Sequence, residues 1–271
     1  MTPEALAQEI ETAYAERTPL VPPSERLPGF DLAMAYQVEA ELVKRRAAGG
    51  HRAVGRKIGF ANRAVWRVFK LDTVGWAHMY DDTVRYAREG AASLSLSRMI
   101  APKIEPEIVF KLARVPEGDP ADPAAVLAAA EWLAPGFELV DAAYPNWKFT
   151  PPDFVAAYGL HAGLVVGAPV PVTRQNAATL AEQLGLVQVT LWRDDAIAAQ
   201  GGGRNVLGNP ALALGELARG LARQPGADPL APGELVASGA LTDNQFIAPG
   251  QRWSVVMQGL PVARLSLVTT G

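Results

Sequence analysis

The sequence contains no cysteine. Disulfides, zinc–thiolate centres and cysteine nucleophiles are therefore excluded. Histidine is scarce: His51, His78 and His161 are scattered, with no His-x-x-x-His spacing, so a histidine-based zinc site is not expected. No apolar run reaches the ~20 residues that cross a bilayer. The opening MTPEALAQEI has no apolar core of the kind a secretory signal carries. Basic clusters are also lacking. The net charge is -3, and the densest basic run, Lys44-Arg45-Arg46, ends a helical stretch where cations favour the helix C-terminus. Neither nucleic acid nor a membrane surface is an expected partner, and a cytoplasmic protein is the expectation.

What is present is a chain of 271 residues, 49% of them hydrophobic, enough to bury a sizeable core. Thr2 and Pro3 predict the start of a helix whose apolar positions include Leu6, Ile10, Ala13 and Tyr14. A proline-rich connector (18–29) follows, then a second amphipathic helix over 31–48, opened by Asp31 and closed by Gly49-Gly50. This pair reads as a helical N-terminal subdomain, residues 1–53, ahead of a strand-rich domain over 54–271. Within the latter, 63–69 and 209–223 read as helices. The run AAVLAAAEWL (124–133) reads as a helix stopped by Pro135-Gly136. Strands are expected over 107–115, 137–142, 162–168, 186–195 and 234–241, with a C-terminal hairpin over 252–268. The glycine-rich GGGRNVLGNP (201–210) lacks the Gly-Lys-Ser/Thr ending of a phosphate loop; it reads as a loop leading into a capped helix.

The chemically informative stretch is KIEPEIVF (103–110). On a strand, Glu105 and Glu107 share a face, roughly 6.5 to 7 Å apart at a rise of ~3.3 Å per residue. Like charges that close must be solvated, protonated or bridged by a cation. Glu138 lies in the similarly apolar PGFELVDA. Three carboxylates suit a hard divalent ion such as Mg2+ or Mn2+. Taken singly, each is an ordinary solvated strand position.

VGRKIGF (54–60), the paired glutamates after APK, PGFELVDA, NWKFTPPDF (146–154), VLGNP (206–210) and LAPGELVASGAL (230–241) follow one another in a familiar order. In that order and spacing the chain resembles the 2-keto-4-pentenoate hydratases and 4-oxalocrotonate decarboxylases of the fumarylacetoacetate hydrolase superfamily. The resemblance covers nearly the whole chain. It implies an α+β fold, a fumarylacetoacetate-hydrolase-like mixed β-sheet roll or barrel with a helical N-terminal subdomain. It also implies a homo-oligomer, able to associate with a partner enzyme of the same pathway, acting on a small 2-oxo or 2-hydroxy-dienoic acid of aromatic meta-cleavage catabolism. Glu105, Glu107 and Glu138 match the metal-binding carboxylates, Lys57 an active-site lysine, and Asp82, ahead of its neighbour Asp81, an acidic residue at the mouth of the site. In ASGAL (237–241), Ser238, Gly239 and Leu241 are candidate contacts for a substrate carboxylate.

The chain departs from the pattern after Asp153. Typical hydratases carry Ala-Asp-Asn-Ala-Ser there, whereas this sequence reads FVAAYGLHAG (154–163). His161 becomes a candidate acid/base group or a hydrogen-bonded structural histidine. The bulkier Tyr158, Leu160 and His161 are expected to line the distal end of the pocket and to disfavour a second carboxylate there. Hydration of a 2-hydroxy-2,4-dienoate is the leading expectation. Decarboxylation of 2-oxo-3-hexenedioate, or a non-catalytic subunit partnering such an enzyme, is the alternative. A carbon–carbon hydrolase ranks lower, because the sequence reveals no catalytic His–Glu pair.

Overall fold

A computed structural model describes residues 1–117 and 119–271. Helix α1 (Pro3–Glu16) begins as its sequence dictates, with the Thr2 hydroxyl accepting from the Ala5 N–H at 3.3 Å. Within the proline-rich connector a single turn forms, α2 (Pro23–Arg26). Helix α3 (Leu32–Ala48) is capped by Asp31, which accepts from Met34 N at 2.9 Å, and carries Arg45 and Arg46 in its last turn. The apolar faces of α1 and α3 do not close on each other alone. Leu6, Ile10, Val38 and Leu42 bury in one cluster with Val140, Tyr144, Phe154 and Val155 of the strand-rich body.

That body contains β1 (Ala53–Gly59), α4 (Arg63–Phe69), β2 (Gly75–Tyr80), β3 (Val84–Tyr86), β4 (Ala91–Ser95) and β5 (Lys103–Leu112). It continues with α5 (Pro123–Leu127), β6 (Ala130–Val140), α6 (Pro151–Ala156), β7 (His161–Val166), β8 (Val170–Pro171) and α7 (Ala177–Leu186). The last elements are β9 (Gln188–Arg193), β10 (Ala196–Gly202), α8 (Pro210–Arg223), β11 (Leu235–Ala237), β12 (Gln245–Phe246), β13 (Arg252–Gln258) and β14 (Leu265–Thr270). The larger sheet runs β2-β1-β11-β5-β6-β7-β3, with β12 added beside β5 and β8 beside β6. A second sheet runs β10-β9-β13-β14-β4. Parallel pairs (β1 with β11, β3 with β7, β14 with β4) mix with antiparallel ones, giving the expected α+β fold of helices and curled mixed sheets.

One expectation fails instructively. The run 124–133 is helical only over its first four residues: α5 (Pro123–Leu127) stops at Leu127, and Ala130 opens a strand that continues through Pro135-Gly136 to Val140. Alanine and leucine favour a helix locally, but pairing along nearly the whole of β5 outweighs that weak preference. A proline tolerates strand interior only where its missing N–H is not needed. Pro135 meets this condition because β6 changes partner there, pairing with β8 at 132–133 and with β7 from Gly136. Pro106 does the same on β5. Its other neighbour is β11 at 109–111 and β12 at 103–104, and between them the ladder is irregular, with Ser238 N donating to Ile108 O and Leu241 N to Pro106 O. Glu105, beside this junction, reaches the cavity edge, while Glu107 stays buried. Other expected elements form with adjusted ends. Helix α7 and the short strands before β5 went unread.

Asp153 fastens the N-terminal helices to this body. Buried at the start of α6, its carboxylate accepts from Ser24 N (2.8 Å), Ser24 Oγ (2.5 Å), Thr150 N (2.8 Å) and Thr150 Oγ1 (2.7 Å). Asp153→Ala should lower the unfolding free energy by at least ~3 kcal/mol, since bonds to a charged acceptor contribute ~1.5–3 kcal/mol and the stranded N–H groups add a desolvation cost. Urea titration followed by tryptophan fluorescence reads this, and an unchanged midpoint would refute it.

Candidate active site

The register of β5 against β6 sets Glu105 directly opposite Glu138, and Glu107 opposite Gly136. All three carboxylates therefore project from one face, two from alternate residues of one strand and one from its neighbour. One oxygen from each lies within 4.8 Å of the others. Gly136 keeps the space open: a Cβ there would stand 2.5 Å from Val109 Cγ2. Glu107 and Glu138 are fully buried, and Glu105 is half-buried. Glu107 Oε2 accepts from Gly239 N at 2.9 Å, and Glu105 Oε1 from Asn244 Nδ2 at 3.2 Å.

Lys57, on β1, reaches the same face. Its Nζ lies 3.1 Å from Glu138 Oε2, donates to Gly159 O at 2.9 Å, and sits 4.9 Å from the Phe154 ring centre. Gly159 is required there. Its φ is +58°, and a Cβ would come within 2.9 Å of Lys57 Cδ and Ala77 Cβ. Burial pulls the Lys57 ammonium towards deprotonation, but Glu138, Glu105 and Glu107 outweigh it and hold the pKa above the ordinary value. Burial drives the Glu107 carboxyl well above the usual carboxylate range, helped by repulsion from Glu138 and Glu105. Burial also raises Glu105, with Lys57 opposing. Glu138 goes the other way: burial is overcome by Lys57 and by the N–H of His161, so its carboxyl is held below the usual range.

A cavity of about 400 Å³ opens onto Lys57 and Glu105. Phe60, Trp147, Phe149 and Phe154 form an aromatic wall, with Ile58, Val140 and Leu160. Asn62, Asn205, Thr242, Asp243 and Asn244 supply polar groups. Among the described residues lining it, Lys57 is the single cation. The sequence reading missed the aromatic wall, whose members come from two stretches far apart in the chain, Phe60 from one and Trp147, Phe149 and Phe154 from the other. Asn205 was visible only as part of the loop read ahead of the capped helix.

Other expected residues fall elsewhere. Asp82 does not meet Lys57; it pairs with Arg46, and with Asp81 faces His51 on the surface. Ser238 turns its hydroxyl to the backbone, accepting from Ile108 N (3.2 Å) and donating to Gly239 O (3.2 Å). Leu241 is buried, and its carbonyl accepts from Gly202 N and Asn205 Nδ2, so it anchors the loop and leaves the cavity edge to Ala240. Gly239 lines the cavity, but its N–H is committed to Glu107. Of the segment expected at the distal end, only Leu160 reaches this cavity; Tyr158 and His161 face a separate one of about 380 Å³ with Arg46 and Tyr80. A His–Glu pair does exist. His161 Nδ1 lies 2.9 Å from Glu138 Oε1, behind the carboxylates. No described helix is long and apolar enough to cross a membrane.

No protein-family model matches the chain. It is 32% identical over 237 residues to a 4-oxalocrotonate decarboxylase of Pseudomonas sp, covering 88% of this chain and 86% of the relative. It is 30% identical over 260 residues to 2-keto-4-pentenoate hydratase 2 of Dechloromonas aromatica, covering 96% and 95%. Among solved structures, 4-oxalocrotonate decarboxylase from Pseudomonas putida G7, complexed with magnesium and adipate, superposes with a TM-score of 0.87 at 26% identity, over 98% of this chain and 97% of that one. The register that gathers three glutamates beside a lysine thus sits within a fold shared end to end with these lyases, and the chain belongs to the 2-keto-4-pentenoate hydratase and 4-oxalocrotonate decarboxylase family of the fumarylacetoacetate hydrolase superfamily.

Proposed function

We propose that this protein is a divalent-metal-dependent hydratase that adds water to a 2-hydroxy-2,4-dienoate with a single carboxylate and an apolar or aromatic tail. The cavity carries this choice. A vinylogous decarboxylase must hold a second carboxylate at the far end of its substrate, and a buried carboxylate without a cationic partner is costly. Here the far wall is aromatic, and the one lining cation, Lys57, stands beside Glu138, so a second carboxylate would have no cation of its own.

The donor set fits a metal. Glu107 Oε1 and Glu138 Oε2 are buried without a hydrogen-bond partner, and the latter meets Lys57 as an ion pair at 3.1 Å. One lysine among three carboxylates leaves two negative charges uncompensated, which is the charge of one divalent cation. Glu105, Glu107 and Glu138 would hold Mg2+ or Mn2+ through oxygen. A bound divalent ion would supply Lewis-acid stabilisation of the negative charge that gathers on the 2-oxo oxygen.

The chain's own groups account for the rest. Ketonisation moves the enol proton to C5 and leaves C3=C4 conjugated to the 2-oxo group. Water then contributes hydroxyl to C4 and a proton to C3, giving a 4-hydroxy-2-oxo acid without loss of carbon. We assign Lys57 to hold the carboxylate end and move the proton near C3. Asn205, Asp243 and Asn244 are assigned to hold the water, and the aromatic wall to exclude bulk solvent and seat the tail. The same reading includes homo-oligomeric assembly in the cytoplasm, which the family resemblance supports.

Three outcomes test it. EDTA should abolish turnover of 2-hydroxypenta-2,4-dienoate and Mg2+ or Mn2+ restore it, with a 4-hydroxy-2-oxo product and no CO2; stoichiometric CO2 from 2-oxo-3-hexenedioate without any hydration would favour the decarboxylase instead. Lys57→Met should lower kcat/KM by at least ~100-fold, the low end for a proton-transfer group, with metal affinity retained. Near-wild-type turnover would remove Lys57 from the mechanism. Finally, Glu107→Gln, which removes a buried like charge, should raise the melting temperature in EDTA while losing the stabilisation that Mg2+ gives the wild type. A lower melting temperature in EDTA would show that the carboxylate is structurally favourable without a cation.

A further inference from the structure

The hydrogen bonds behind Glu138 point to a device that the family resemblance did not assign. His161 stands within the segment that departs from typical hydratases, and its ring does not line the substrate cavity. Its Nδ1 is 2.9 Å from Glu138 Oε1, and its Nε2 is 2.9 Å from Thr83 Oγ1. An ionised carboxylate only accepts, so Nδ1 must carry the proton. In the neutral ring Nε2 must then accept, and the Thr83 hydroxyl is the donor within reach. The same hydroxyl also lies 2.9 Å from Tyr80 O, which accepts from Thr83 N at 3.0 Å as well, so the hydroxyl proton is shared between the carbonyl and Nε2.

Thr83 is held where this requires. It ends the turn between β2 and β3, its carbonyl accepts from Leu164 N at 2.9 Å, and the next residue, Val84, begins the parallel pairing of β3 with β7, the strand that His161 opens. Glu138 is thus gripped at Oε1 by an imidazole whose own orientation is set from the far side. Its other oxygen, Oε2, is left turned towards Lys57 without a hydrogen bond.

We infer that His161 and Thr83 are positioning residues that fix Glu138 to present Oε2 alone to the cation, and that His161 takes no direct part in proton transfer to substrate. The inference rests on the metal reading of the glutamates given above. Ligand-orienting partners of this kind typically change metal affinity by about 10- to 100-fold when removed.

The test is Mn2+ affinity of the EDTA-stripped full-length protein, read as loss of the free-ion EPR signal, with melting in EDTA as a check on folding. His161→Leu should bind Mn2+ about 10- to 100-fold more weakly, while His161→Asn, which keeps an N–H near the place of Nδ1, should stay within about threefold of wild type. Thr83→Val should weaken binding by several-fold and Thr83→Ser should recover it. Wild-type affinity in His161→Leu, or equal weakening in the Leu and Asn variants, would overturn the positioning role. Failure of the wild type itself to bind Mn2+ would overturn the metal reading and the inference with it.

Discussion

The structure is organised around an electrostatic debt: three carboxylates and one lysine project from a single sheet face into a largely apolar interior. Isolated buried carboxylates are neutralised, paired or coordinated. Much of the local architecture follows from making that arrangement possible. The β5–β6 register brings Glu138 across from Glu105, and Gly136 leaves room beside Glu107. The left-handed turn at Tyr158 to Leu160 delivers the Gly159 carbonyl to Lys57. Pro106 and Pro135 sit where partner strands change, so their missing N–H groups fall where the ladder is irregular.

The same arrangement separates two chemical environments. On the cavity side, Glu105 and Lys57 meet an aromatic wall and a polar rim. On the opposite side, His161 and Thr83 tie Glu138 to the β3–β7 pairing. Function is thus concentrated on rigid strands, while the connecting segments supply the cavity's walls. The N-terminal helices join through Asp153 and through a core shared with Tyr144, Phe154 and Val155, so the stretch that carries Phe154 to the lysine also carries their docking surface.

How much of this was legible depended on sequence distance. The alternation of Glu105 and Glu107 is local, and a strand reading finds their common face. Glu138 stands out as a charge in an apolar run, but only strand register, or family resemblance, joins it to the other two. The cap residues Thr2 and Asp31 and the capped helix at Pro210 were also readable, because their signals lie within a turn of the element they start. The failures share a cause. Residues 124–133 carry helical composition, yet a long-range ladder decides their conformation. Asp82 looked like a site residue, but its partner Arg46 lies on a helix far upstream. His161 was recognised as unusual, although its partners, Thr83 of the β2–β3 turn and Glu138 of β6, gave no local sign of their roles.

The central claim is that a divalent cation compensates the buried carboxylates. Calorimetric melting of the EDTA-stripped protein against graded Mg2+ tests this most directly, because a ligand bound only by the folded state raises stability in proportion to RT ln(1 + [L]/Kd). The account predicts a melting temperature that climbs with Mg2+ in the wild type and stays flat when Glu105, Glu107 and Glu138 are all changed to Gln. A flat wild-type curve, or the same climb in the triple variant, would contradict it.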